Sequence, residues 1–356
     1  MPSQTASSSP CRIAVAGAGL IGQAHLRLLA AHPKAEIHAI VDPAPAGAAL
    51  AKTLSVPWYA QLDEMLAKSP PQGMVLATPN QLHVQQALQC VAAGLPVLLE
   101  KPVATTVQEG ERLLQAVASV GARVLIGHHR AHSAIMQTAL ACVGSGALGK
   151  LVAVQGSATF YKPDHYFQDG PWRSQRGGGP ILINMIHEIH NLRMLCGEIT
   201  AVQAFASNAR RGFEVEDTVA ITLRFDTGVL GTFMLSDTAA SARSWEQTAR
   251  ENKAYPSYDD EDCYTLSGTQ GSLAVPTMRI KHYASEGERS WWKPFQCEVL
   301  ELVRADPLER QMAHFIDVVQ GRAQPLVSVR DGLQNLRVTE AIGQAVREER
   351  TVFISN

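Results

Sequence analysis

The sequence predicts two unlike domains: an α/β domain on a parallel sheet, then an α+β domain built largely on antiparallel strands. Three observations carry this. Between residues 12 and 130, short apolar runs alternate with longer helical patterns, which is how strands covered on both faces read. A glycine-rich turn, Gly17-Ala18-Gly19-Leu20-Ile21-Gly22, directly follows the first of those runs. After about residue 133 the runs alternate apolar with polar, as half-buried strands do.

Taken in order, the first strand is 12–16 (RIAVA), with a helix at 20–31. The second strand, 36–41, closes on Asp42-Pro43, and the third, 74–77, on Thr78-Pro79-Asn80. The fourth, 97–100, closes on Lys101-Pro102, and the fifth, 123–126, on Gly127-His128-His129-Arg130. Helical patterns fill 45–54, 61–68, 81–93 and 106–120. Open parallel sheets bind ligands beyond the carboxyl ends of their strands. Those ends are where the polar residues sit.

The second half opens with a helix at 133–143 and a strand at 151–160. A loop rich in Gly and aromatics, 161–180, precedes a helix at 181–196. Strands are expected at 200–208, 217–225, 229–237, 262–267, 272–275 and 279–283, with Asp226-Thr227-Gly228 as a hairpin turn. Residues 239–262 read as a long polar loop, and helices at 307–320 and 332–347 close the chain.

Composition excludes several classes. The chain has 356 residues, 46% of them hydrophobic and 18% charged, with a formal charge of −2. That balance argues against a nucleic-acid partner or an anionic membrane. No apolar run reaches the roughly 20 residues of a spanning helix. The polar start, MPSQTASSSP, reads as a disordered tail over 1–10. Six cysteines stand far apart without a CxxC spacing, as expected of reduced thiols in the cytoplasm.

The glycine turn fits GxGxxG between a strand and a helix. Gly17 makes the tight turn, Gly19 lets the backbone approach a pyrophosphate, and Gly22 lets helix pack on strand. Phosphates then meet the N–H groups of the helix start, at Leu20 and Ile21. Asp42, 20 residues after Gly22, stands where a carboxylate binds ribose hydroxyls. It would repel a 2′-phosphate, and the nearest cation after it is Lys52. NAD is therefore the expected cofactor, with NADP possible.

Together with Thr78-Pro79-Asn80, His83, Glu100-Lys101-Pro102, Gly127-His128-His129-Arg130 and the stretch GGGPILINMIHEIHNLRMLCGE (177–198), this turn resembles a known family. So does Ser267-Gly268-Thr269-Gln270-Gly271-Ser272. The chain is similar, from Cys11 to about Arg347, to the glucose–fructose oxidoreductase/inositol dehydrogenase/MocA family. The resemblance implies an NAD(P)-binding Rossmann domain at 11–131. It implies an α+β substrate and oligomerisation domain at 132–356, with a large, open, mostly antiparallel sheet. It further implies a homodimer or homotetramer through that sheet, and hydride transfer between nicotinamide and a secondary alcohol or ketone of a sugar, cyclitol or related cyclic substrate.

Site residues follow. Thr78, Pro79, Asn80, His83, Glu100 and Lys101 join the cofactor set. Lys101 can bind the substrate oxygen and relay its proton, as the Lys of Glu-Lys-Pro does in the family. His187 is the second catalytic candidate, since a His can take or return the hydroxyl proton. Many sugar-acting members carry Asp four residues before this His and three after; here those positions are Ile183 and His190. Asn184 beside the gap can position a substrate but not exchange its proton. The expected substrate wall is His129, Arg130, Tyr166, Trp172, Arg173, Asn184 and His187. Tyr161, His165 and Arg176 crowd the same loop. Trp245 and Glu246 are candidates for contributions from a neighbouring subunit, and Trp291-Trp292 reads as core or interface. HEIH is not HExxH, so no metal site is expected. Alternatives are a dihydrodiol dehydrogenase for a phthalate-type ring acid, an internal-redox NAD-dependent glycosidase, and a non-catalytic NAD-binding sensor.

Overall fold

The computed structural model describes residues 9–355. Most of the expected tail, residues 1–8, lies outside them. The chain divides into two compact units: Met1–His129 with Leu308–Leu336, and Arg130–Pro307 with Arg337–Asn356.

The first unit runs β1 (Cys11–Ala16), α1 (Leu20–Ala31), β2 (Ala35–Val41), α2 (Pro45–Leu54), β3 (Trp58–Tyr59), α3 (Leu62–Lys68), β4 (Gly73–Leu76), α4 (His83–Ala92), β5 (Val97–Leu99), α5 (Val107–Val120) and β6 (Val124–Ile126). The strands form one parallel sheet in the order β3-β2-β1-β4-β5-β6. Val15 pairs with Ile40 on one side and Val75 on the other. The central strands are buried from Ile13 on in β1 and throughout β4, which explains their apolar runs there. On α1 the buried residues are Gly22, His25, Leu26 and Leu29, the i, i+3, i+4, i+7 stripe of a helix lying on a sheet. Strand order reverses between β1 and β4, so the turns after these two strands border the crevice where such sheets bind ligands.

The second unit holds α6 (Ala134–Gly144), β7 (Leu151–Thr159), α7 (Asp164–Gln168), a π-helical turn (Ile181–Met185) and α8 (Ile186–Cys196). Then come β8 (Ile199–Ser207), β9 (Thr218–Phe225), β10 (Leu230–Ser236), α9 (Trp245–Thr248), β11 (Tyr264–Gly268), β12 (Gly271–Val275), β13 (Arg279–His282) and β14 (Gln296–Val299). The chain closes with α10 (Pro307–Val319), α11 (Val329–Glu348) and β15 (Val352–Phe353). A nine-stranded sheet runs β14-β13-β12-β11-β7-β10-β9-β8-β15. Val154, Ile221, Phe233 and Tyr264 on its inner face share one core with Ile135 of α6 and Ile189 and Leu192 of α8. Val152, Phe205, Leu230 and Met234 of β7, β8 and β10 are exposed.

Four features differ from expectation or add to it. Leu308–Leu336, placed by sequence in the second domain, belong to the first unit. The Arg123 guanidinium donates to the Val318 carbonyl at 2.6 Å, and the Ile126 N–H to the Val327 carbonyl at 2.9 Å. An amphipathic helix does not encode which core it covers. Second, within the mostly antiparallel sheet that was expected, one pair is parallel, β10 with β7, a detail the sequence did not specify. Alternation reports burial, not strand direction. Third, β3, β14 and β15 are strands of four residues or fewer, too short to show a period. Fourth, Trp291 and Trp292 are 84% and 83% exposed, so they are not core residues. No helix among the described residues is long and apolar enough to cross a membrane.

Candidate functional site

The glycine turn lies between β1 and α1. Gly17 has φ of +90°, and a Cβ there would stand 2.4 Å from the Ala77 carbonyl oxygen, so only glycine fits. A Cβ on Gly22 would lie 1.9 Å from the Gly17 oxygen, so α1 sits directly on the turn. Around Gly19 a Cβ would meet nothing within 4 Å. Gly19 is also the N-cap of α1 and offers no side-chain cap, while Leu20 is 86% exposed. The helix start thus keeps backbone N–H groups and an open approach for an anion. Asp42 closes the other side. Its Oδ2 accepts from the Ala18 N–H at 2.7 Å and its Oδ1 from the Ala44 N–H at 2.8 Å, which fixes the carboxylate against the turn. These residues fit a dinucleotide: free donors for the pyrophosphate, and a fixed carboxylate for ribose hydroxyls.

Beyond β4, the Thr78 hydroxyl donates to Gln86 at 2.6 Å, and Pro79 and Asn80 lead into α4. His83 is buried. One ring nitrogen lies 2.9 Å from the Thr78 carbonyl and the other 2.7 Å from that of Pro102. His83 therefore stands behind the turn and ties it to the segment after β5. In that segment the Lys101–Pro102 peptide is cis.

Glu100 is buried and lies 2.8 Å from His25 of α1. Burial pushes its carboxyl up, but the His25 hydrogen bond and the nearby His25, Lys101 and His129 outweigh it, so the group sits below its ordinary value. The Glu100 carboxylate presses on Gly127, where a Cβ would lie 2.9 Å from it. Sequence reasoning missed both His25 and Gly127 as supports of Glu100. Their signal was faint: a polar residue on the buried stripe of α1, and a Gly at the end of β6. Lys101 itself is partly exposed at the carboxyl end of β5.

In the second unit, the π turn and α8 carry Asn184 and His187, both partly exposed. A π turn often marks a functional stretch of helix. The Asn184 side chain accepts a hydrogen bond from Lys162 Nζ at 2.7 Å. Lys162 was not singled out in the sequence. Ile183 is partly exposed and His190 is buried on α8. Trp172 is half exposed and Tyr166 partly so. The Arg173 guanidinium stacks 4.0 Å from the Tyr166 ring centroid and bonds the Tyr166 carbonyl.

Arg130, expected at the substrate wall, is buried against two carboxylates of the chain itself. It is 3% exposed, and its guanidinium donates to Glu188 at 2.6 Å and to Glu246 at 2.5 Å. The guanidinium also faces the Trp245 ring, 5.3 Å from its centroid. Burial disfavours its charge, but the two carboxylates more than offset that, so it stays protonated. Glu246 thus pairs with Arg130, and Tyr264 and Glu251 extend the network through hydrogen bonds to Glu188 and Trp245. Among the described residues, no three His, Cys, Asp or Glu converge as a metal site.

Two family models match the chain. One, described as "Oxidoreductase family, NAD-binding Rossmann fold", covers residues 11–128. The other, "GFO/IDH/MocA C-terminal domain", covers residues 136–274. The chain is 26% identical over 298 residues to the 1,5-anhydro-D-fructose reductase of Ensifer adhaerens, covering 80% of each chain. It is 20% identical over 346 residues to the inositol 2-dehydrogenase of Rhizobium meliloti, covering 97% of this chain and 99% of that one. Its fold matches that of the WlbA dehydrogenase from Bordetella pertussis, solved with NADH and UDP-GlcNAcA. The TM-score is 0.76 at 22% identity, over 98% of this chain and 99% of that one.

Proposed function

The chain belongs to the glucose–fructose oxidoreductase/inositol dehydrogenase/MocA family of NAD-binding oxidoreductases, and we propose that it moves a hydride between nicotinamide and a secondary alcohol or ketone of a sugar, cyclitol or related cyclic substrate. The observation that carries this reading is the open Gly19 turn set against the fixed Asp42 carboxylate. The names of relatives, an anhydrofructose reductase and an inositol dehydrogenase, support the substrate class. When bound, the nicotinamide supplies the hydride acceptor or donor.

The rest falls to side chains. Lys101 donates a hydrogen bond to the reacting oxygen and steadies the negative charge that grows there. His187 takes the hydroxyl proton as the alcohol becomes a carbonyl, and returns it in reduction. Glu100, anchored by His25, keeps an anionic neighbour beside Lys101. Thr78, Pro79 and Asn80 border the cofactor cleft, with His83 bracing them from behind. Tyr166, Trp172 and His129 stand as substrate-side candidates. The six free thiols, five of them buried, fit a reducing compartment such as the cytoplasm.

The test is NADH formation across polyols, aldoses, sugar acids and cyclic diols, with NADP in parallel. A clear preference for NAD is expected, because the Asp42 carboxylate would face the extra phosphate of NADP. Equal efficiency with NADP would overturn the role of Asp42. Absence of hydride transfer throughout would overturn the enzyme reading.

We further propose a homo-oligomer through the nine-stranded sheet. Val152, Phe205, Leu230 and Met234 leave apolar side chains in water in the isolated chain. Light scattering should report a dimer or tetramer for the native chain, and Phe205→Asp with Met234→Asp should shift it toward monomer. A native monomer would refute this.

A further inference from the structure

Lys162 has no role in the transfer described above, yet its placement is elaborate. The side chain is 11% exposed, with Nζ 2.7 Å from Asn184 Oδ1 and 3.6 Å from Asp237 Oδ2. It lies 4.9 Å from the Tyr166 ring centroid and 5.5 Å from that of Phe160. The backbone is fixed too: the Lys162 N–H donates to the Asp237 carbonyl at 2.9 Å, and its carbonyl accepts from Arg211 at 2.7 Å.

The hydrogen-bonding inventory then restricts what can bind. An ammonium has three donors and no acceptor. Asn184 gives one lone pair of its side-chain oxygen to Lys162 and keeps both NH2 donors. Asp237 is already shared with the Arg211 Nε at 3.1 Å. The Lys162–Asn184 pair therefore offers a positive charge and more donors than acceptors. A hydroxyl both gives and accepts, whereas a carboxylate only accepts, at two oxygens. Asn184 also precedes His187 by three residues, about one helical turn.

We propose that Lys162 and Asn184 form a carboxylate subsite, so that the alcohol or ketone served by His187 belongs to an acid: a sugar acid or a ring carboxylic acid. This rests on the oxidoreductase reading and narrows its substrate class. Charge is consistent with it. Asp237, Glu216, Arg211 and Arg173 face Lys162, with the Tyr166 ring beside it; Asp164, 3.7 Å from Arg211, is 83% exposed and screened by water, so the groups close around the ammonium leave a net positive charge. Burial pulls the Lys162 amine down to about 8, with Asp237 opposing and Arg211 and Arg173 adding. The amine keeps its proton, and the subsite its attraction, below that pH and loses both above it.

Calorimetric titration of the NADH-saturated protein tests this, with D-glucuronate, D-gluconate and phthalate set against D-glucose and myo-inositol. The acids should bind more tightly, and their advantage should fade by about tenfold per pH unit above the Lys162 midpoint. Lys162→Met should erase the advantage. Lys162→Arg should keep it and carry it to higher pH. If Lys162→Met does not fold, Asn184→Leu should weaken the acids selectively. Uncharged ligands binding as well as the acids, no acid binding at all, or an advantage intact in Lys162→Met would each overturn the subsite. Wild-type turnover of uncharged polyols alone would remove the subsite and leave the oxidoreductase reading standing. If the protein fails to bind NADH, that reading falls, and the same titrations without cofactor still decide the subsite.

Discussion

Lys101→Met should lower kcat by about 10²–10³-fold, the range a single donor to a developing oxyanion supplies. NADH affinity should stay within about a few-fold, because the phosphate and ribose contacts assigned to the Gly17–Gly22 turn and Asp42 are separate from Lys101. Methionine keeps the length of the aliphatic stem and removes only the ammonium. The Glu100 carboxylate loses one favourable neighbour but keeps His25 at 2.8 Å, so the segment after β5 should remain in place. Stopped-flow transfer rates and NADH fluorescence titration together separate the two effects. A near-native rate would refute the assignment. Equal losses in NADH binding and turnover would mean that Lys101 serves the cofactor rather than the reacting oxygen.

The features legible in the sequence are those whose physics is local. Buried stretches of parallel strand must be apolar, so the whole of β4, β5 and β6 and the buried ends of β1 and β2 announce themselves. The three glycines of the turn each answer to a contact within a few residues or with the next strand, and the spacing to Asp42 follows from one strand and one helix. The expected open, mostly antiparallel sheet is present because alternation in β8, β9 and β10 records one wet face. What stayed hidden depends on partners distant in the chain. His25 meets Glu100 across 75 residues, and Arg130 meets Glu246 across 116. An arginine in a cleft-lining sequence looks the same whether it awaits a carboxylate on a ligand or already holds two of its own. Lys162 hides for the same reason: within a loop of aromatics and charges, nothing local distinguishes a sunken lysine from a solvated one. The helix Pro307–Val319 shows an apolar face but not its destination.

Arg130→Met supplies the second large effect, and it separates a structural arginine from a substrate-binding one. Removing one member of a buried ion pair typically costs about 3–5 kcal/mol, because the remaining charge loses its partner without regaining water. Here the stranded group is Glu188, 2% exposed, which would keep the Tyr264 hydroxyl as a donor. At about 2–4 °C per kcal/mol for a unit of this size, the melting temperature should fall by roughly 6–20 °C. The pH dependence has a definite sign. Burial already pushes the Glu188 carboxyl up, and without the guanidinium it rises further. A carboxylate whose folded pKa lies above its unfolded one destabilises when ionised, so the loss should be greatest in alkali and shrink as pH falls and Glu188 takes a proton. Adding Glu188→Gln to Arg130→Met should recover part of the loss at neutral pH, since the amide oxygen can still accept from Tyr264 and position 188 no longer carries a charge. Thermal melts of the three proteins across pH read this directly. An unchanged melting temperature with a raised KM would return Arg130 to the substrate wall.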